Sequence, residues 1–91
     1  MSVTVKLPTQ LRASAGGEGA VAVEASTVGE ALEALYVAYP ELRERLSDED
    51  GTLRRFINVY VAGDDIRFGQ MLDTAVSDGQ EVQILPAVAG G

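Results

Sequence analysis

The group in this chain best placed to do chemistry is its last one. The sequence ends Ile84-Leu85-Pro86-Ala87-Val88-Ala89-Gly90-Gly91: an apolar strand, a proline, small residues and a glycine pair. Pro86 lacks an N–H and fixes φ, so it is expected to end the strand and send the backbone outward. From Pro86 to Gly91 the chain reaches about 20 Å, at about 3.3 Å per extended residue. A glycine pair loses much entropy on ordering, so it is a poor way to stabilise an end. It does make a thin backbone that passes where a Cβ would clash. The α-carboxylate of Gly91 is then the least hindered carboxyl, and it is read as the reactive group. Frayed ends also tolerate glycine and alanine, so the rest of the chain has to decide.

Other chemistries are narrowed by what is missing. The 91 residues contain neither cysteine nor histidine. Thiol chemistry, disulfides, an imidazole base and an ordinary zinc site are excluded together. Only carboxylates, lysine and tyrosine remain as acid–base groups, which points away from an enzyme. Fourteen acids against seven bases leave a formal charge of −7, unsuited to nucleic acid or an anionic membrane. The apolar runs are too short to span a bilayer, and Met1-Ser2-Val3-Thr4-Val5-Lys6 is unlike a signal peptide. A cytoplasmic protein is expected.

Two internal motifs fail on their spacing. Gly17-Glu18-Gly19 could begin a phosphate cradle, but Ala22 stands where the third glycine is needed. Asp48-Glu49-Asp50-Gly51 resembles part of a calcium loop. Its first ligand position falls on Leu46 and its twelfth on Ile57. These are read as a hairpin turn and a solvated loop.

The elements that must carry the tail follow from periodicity. Val3, Val5 and Leu7 alternate with polar residues, predicting a strand with one buried face. Residues 9–19 are expected to form a loop, and Val21 and Val23 a second strand. Thr27 stands three residues before Glu30, a capping box. It opens a helix with Ala31, Leu32, Leu35, Tyr36 and Tyr39 on one face, stopped before Pro40. This stripe is read as core. Leu42 and Leu46 suggest a short second helical turn. Phe56 to Val61 is a strand with Ile57, Val59 and Val61 on one face. A turn over 62–65, a returning strand over Ile66-Arg67-Phe68, an irregular stretch with Met71, Leu72 and Val76 turned inward, and a strand over 80–85 complete the chain. The predicted fold is α+β: a mixed sheet of four to five strands with one main helix across it. Its first and last strands lie parallel at the centre. Residues 1–85 form the domain and 86–91 a flexible tail.

This order, with its terminal Gly-Gly, resembles the β-grasp, ubiquitin-like sulfur carriers of the MoaD/ThiS family. That family includes the thiamin sulfur carrier, the small subunit of molybdopterin synthase and the carrier of the thiocarboxylate route to cysteine. Arg54-Arg55-Phe56-Ile57-Asn58-Val59-Tyr60-Val61, Asp64-Asp65-Ile66-Arg67-Phe68 and the tail look most similar to the cysteine-route carrier. The resemblance implies that an ATP-using, ubiquitin-activating-like adenylyltransferase activates Gly91, and that a sulfurtransferase supplies the sulfur of a thiocarboxylate. It implies further that this sulfur attacks an aminoacrylate on a pyridoxal-phosphate-dependent cysteine synthase, and that a zinc peptidase of the JAMM type releases cysteine. No cofactor is expected on this chain; ATP, pyridoxal phosphate and zinc belong to the partners. Pro86, Ala87, Val88, Ala89 and Gly90 would thread the partner's channel. Arg54, Arg55 and Arg67, with Phe68, Tyr60 or Phe56, could form a docking surface. Solvated arginines and half-buried aromatics explain the same residues equally well. Supply of sulfur to thiamin or molybdopterin, conjugation to proteins, and an inert interaction module remain the competing readings.

Overall fold

The computed structural model describes residues 1–54 and 57–86. Strand β1 (Ser2–Lys6) is followed by a short helix α1 (Thr9–Arg12), then β2 (Ala20–Glu24). Helices α2 (Val28–Ala38) and α3 (Glu41–Leu46) lead into β3 (Ile57–Val61), β4 (Asp64–Asp65) and β5 (Glu81–Pro86). The five strands form one sheet in the order β2-β1-β5-β3-β4. β1 and β5 run parallel at its centre, with Val5 beside Val82, and the other neighbours are antiparallel. This is the expected α+β, β-grasp arrangement.

Two-residue alternation decides which face is buried. Val3, Val5, Ile57, Val59, Val61, Val82 and Ile84 all turn to one side. There they meet Val28, Ala31, Leu32, Leu35 and Tyr36 of α2. Both layers are apolar on facing surfaces, so burying one buries the other. Leu42 and Leu46 of α3 are wholly buried beside them.

The start of α2 is fixed by side chains. Thr27 Oγ1 accepts from the Glu30 N–H at 3.2 Å, while the Glu30 carboxylate accepts from the Ser26 N–H at 2.8 Å. The Val28 N–H donates to the Thr74 carbonyl at 2.9 Å. Free amides of the first turn thus find partners from both directions.

Four expectations are corrected. The 9–19 stretch contains α1 and a 3₁₀ turn over Ala13–Ala15, because Leu11 and Ala15 find buried positions. Ile66–Phe68 is a 3₁₀ turn and not a strand: the returning strand is Asp64–Asp65, and Ile66 is buried instead of continuing the ladder. Met71 points outward, 42% exposed, whereas Leu72 packs on the core and Val76 is buried. Pro86 does not lie beyond the last strand but is its final residue, one past the expected boundary at 85. The expected start of β3 at Phe56 lies outside the described residues.

Candidate functional site

The seat of the tail is the end of β5, and main-chain geometry explains how a proline sits there. The Thr4 N–H donates to the Gln80 carbonyl at 3.0 Å. In a parallel ladder this directs the even-numbered β5 amides toward β1. Position 86 would therefore donate toward Pro8, past the end of β1 at Lys6. The Pro8 carbonyl already accepts from Leu11 at 3.0 Å. On the other side, Ile57 is the partner of Pro86 in register, yet its N–H donates to Arg54 at 3.0 Å. No ladder bond is lost by placing proline at this point. Ala87, Val88, Ala89, Gly90 and Gly91, the expected threading residues and acyl site, lie outside the described residues.

Beside this seat is a groove of about 700 Å³ lined by Lys6, Leu7, Arg12, Gly19, Gln83 and Leu85 among others. The Arg12 Nε–H donates to the Leu7 carbonyl at 3.2 Å. A Cβ added at Gly19 would stand 2.9 Å from Arg12 Nε. The arginine packs directly on the main chain here, and a side chain at position 19 would push it aside. Lys6 pairs with Glu81 at 3.5 Å across the β1–β5 seam. Both side chains are well exposed, so this pair adds little stability.

The expected docking residues divide between two faces of the sheet. Arg54 and Arg67 come together at one small cavity, about 180 Å³, floored by Leu53, Ile57, Ile66 and Met71. The Arg54 Nε–H donates to the Glu44 carbonyl at 2.8 Å. The Arg67 Nη2–H donates to the Ile57 carbonyl at 3.2 Å, and its main-chain N–H to Asp65 Oδ1 at 2.9 Å. Tyr60, in contrast, alternates with the buried Val59 and Val61 and lies half-buried on the open face of the sheet. Arg55 and the Phe68 side chain lie outside the described residues.

Sequence reasoning missed Asn58. It shares the open face with Tyr60 and stands opposite Leu85, next to the tail's root. Its Oδ1 is shut off from solvent and has no hydrogen-bond partner among the described residues. The available signal was its type, since asparagine is depleted in strand interiors.

Among the described residues, one titratable group is clearly moved from its ordinary value. Burial pushes the Tyr36 hydroxyl above its usual 10.0, aided by Glu33 and opposed by the Ser47 hydrogen bond and Arg43. It lies between α2 and the end of α3, in the layer that covers the sheet. The same residues form no group of three or more acidic side chains placed to hold a metal ion. None of their helices is long and apolar enough to cross a membrane.

Comparison with known proteins agrees with this architecture. Residues 5–91 match the model of the ThiS family. The sulfur carrier protein CysO of Mycobacterium tuberculosis is 46% identical over 93 residues, covering 100% of both chains. Among solved structures, the Amycolatopsis orientalis BexX/CysO complex contains a chain with a TM-score of 0.90 and 45% identity. That match covers 98% of this chain and 99% of the other. SAMP1 from Haloferax volcanii gives a TM-score of 0.85 at 36% identity, with full coverage, 100%, of both.

Proposed function

The chain belongs to the ThiS family, and from that premise we infer that it is a sulfur carrier of the cysteine-forming type, a protein co-substrate and not an enzyme. The observation that carries this reading is full-length similarity, at 46% identity, to a sulfur carrier protein. The seat of the tail agrees with it. A β-strand ends on a proline at no cost in ladder bonds, leaving five residues to present one carboxylate.

The chemistry assigns every reactive step to a partner. A carboxylate with an ordinary pKa near 3.5 is ionised at neutral pH and is a poor electrophile. The Gly91 carboxylate oxygen attacks the α-phosphate of ATP on an adenylyltransferase, and pyrophosphate leaves. A sulfurtransferase then delivers sulfide to the acyl carbon, and AMP departs with its oxygen. The product is a thiocarboxylate whose sulfur is the nucleophile for a pyridoxal-phosphate-dependent cysteine synthase. Acyl migration from sulfur to nitrogen leaves cysteine in amide linkage to Gly91, and a zinc peptidase hydrolyses that amide. Gly90 keeps the approach free of a Cβ, Val88 anchors the tail and Pro86 stiffens its root. The reading includes ATP, pyridoxal phosphate and zinc on these partners and a cytoplasmic location for the carrier. Arg54, Arg67 and Tyr60 are candidates for the surfaces they meet.

Intact-mass measurement tests the reading. After incubation with an activating enzyme, ATP and a sulfur donor, the chain should gain the difference between a sulfur and an oxygen atom. With the synthase and its amino-acid substrate it should then gain a cysteinyl residue. Sulfur loading followed by transfer to a pterin or thiazole precursor, with no cysteine adduct, would move the protein to another branch of the family.

A further inference from the structure

Asn58 is an anomaly in the free protein. It occupies the second position of β3, where β-branched and aromatic side chains pack best. Ile57 and Val59 on either side turn inward, so Asn58 faces out from the sheet, away from the helices. Its neighbour across the β3–β5 ladder is Leu85, itself 37% exposed and the last residue before Pro86. Buried amide oxygens are nearly always paired, but Asn58 Oδ1 is closed to solvent and has no partner among the described residues. An apolar side chain of the same shape would remove that defect. The defect is therefore unfavourable for the body alone, and it sits one strand away from the root of the tail.

We propose that Asn58 is a positioning residue for tail loading, accepting a hydrogen bond from an uncharged N–H of the activating partner when that partner covers the open sheet face. The torsion of an asparagine amide is broad and soft, so a modest rotation brings Oδ1 to the surface. Docking would then satisfy an acceptor that the free carrier leaves unmade. Because Asn58 is opposite Leu85, the bond would fix the origin of the tail against the partner's site. This rests on the carrier reading above.

The test uses the full chain, its activating partner and Asn58→Leu. The thermal midpoint is read by calorimetry, and sulfur loading by intact mass across a range of carrier concentrations. The leucine variant should melt above the wild type while its KM in loading rises about tenfold, the value of one hydrogen bond. Its kcat should be little changed. A variant that melts lower or does not fold shows that the amide supports the body and overturns the proposal. So does a variant that melts higher but loads with an unchanged KM. Wild-type protein that takes up no sulfur overturns the carrier reading and this inference with it. Loading of wild type and variant alike overturns the role of Asn58 alone.

Discussion

The Tyr36 and Ser47 hydroxyl oxygens stand 2.6 Å apart, both side chains buried, and the bond ties α2 to the residue that ends α3. Arg43 closes the same joint from outside. Its guanidinium lies 4.9 Å from the Tyr36 ring centre and 3.3 Å from the Glu33 carboxylate. Removing one hydroxyl strands the other in a place water does not reach. Ser47→Ala should therefore lower the unfolding free energy by about 1–3 kcal/mol. In the double variant Tyr36→Phe/Ser47→Ala neither polar group remains, so part of the loss should be regained. Denaturant titration of the four proteins completes the cycle. Additive losses would mean that the two hydroxyls do not act as a pair.

The same tyrosine makes stability depend on alkaline pH. Tyr36 is neutral when protonated, and burial raises its pKa in the folded chain above the ordinary 10.0. Above about pH 10 the unfolded chain releases this proton while the native chain retains it, so stability falls as pH rises. Below that range both states hold the proton and no contribution changes. Tyr36→Phe should flatten the decline in unfolding free energy above about pH 10. Equal slopes for the two proteins above that pH would contradict the assignment.

Ala62 and Gly63, the two residues joining β3 to β4, have φ of 53° and 86°. That pair of left-handed residues is the two-residue hairpin turn for which asparagine-glycine is the favoured sequence. Glycine takes its conformation freely, but alanine is strained by its Cβ. Ala62→Asn should raise stability by about 0.5–1 kcal/mol, read as an increase in thermal midpoint. No neighbour stands within 4 Å of a Cβ added at Gly63. Gly63→Ala should accordingly cost about 1 kcal/mol through backbone conformation alone. An unchanged midpoint in both would mean the turn is not held in this geometry.

The differing fates of β3 and the 66–74 stretch show what periodicity can and cannot convey. Ile57, Val59 and Val61 repeat at two, and Leu32, Leu35 and Tyr36 at three and four. Each pattern states an element and its buried face together. The shared buried face of β1 and β5 follows from the same rule, since both strands bury their valines beneath one helix. Ile66-Arg67-Phe68 alternates in the same way, Ile66 and Phe68 about Arg67, but over three residues only, too few for the pattern to fix a strand. The Asp65 side chain captures the Arg67 N–H instead, and the chain turns. Short helix α1 escaped for a related reason: its N-cap is Pro8, with no side-chain hydrogen bond to announce it. A proline near the close of β5 was legible because proline acts through backbone geometry, which needs no tertiary partner; its place inside the strand was not. Asn58 Oδ1 was not, because being unpaired is a relation among strands that are distant in sequence.

The capping pair at α2 yields a separate test of that local reading. Thr27 accepts from Glu30, but the Glu30 carboxylate reaches past the cap to Ser26. Thr27 itself is engaged in a bridge to Ala75. Thr27→Ala should cost about 1 kcal/mol. Hydrogen exchange should quicken first at Glu30 and its neighbours in the opening turn. Uniform loss of protection across α2 would instead place the effect in the core.

The tail prediction separates presentation from folding. The hydrophobic core runs from Val3 to Ile84, so deleting Gly91 should leave the melting temperature of the body unchanged. The deletion moves the terminal carboxylate back by one residue, about 3.3 Å. Reactions that depend on placement fall about a hundredfold for an error near 1 Å, so sulfur loading should drop at least that far. Gly90→Ala keeps the length and adds one Cβ beside the reacting carbon. It should load more slowly than the wild type and faster than the deletion. Intact mass after timed incubation with the activating partner reads all three proteins. Wild-type loading in the chain that lacks Gly91 would remove the carboxylate's position as the basis of function.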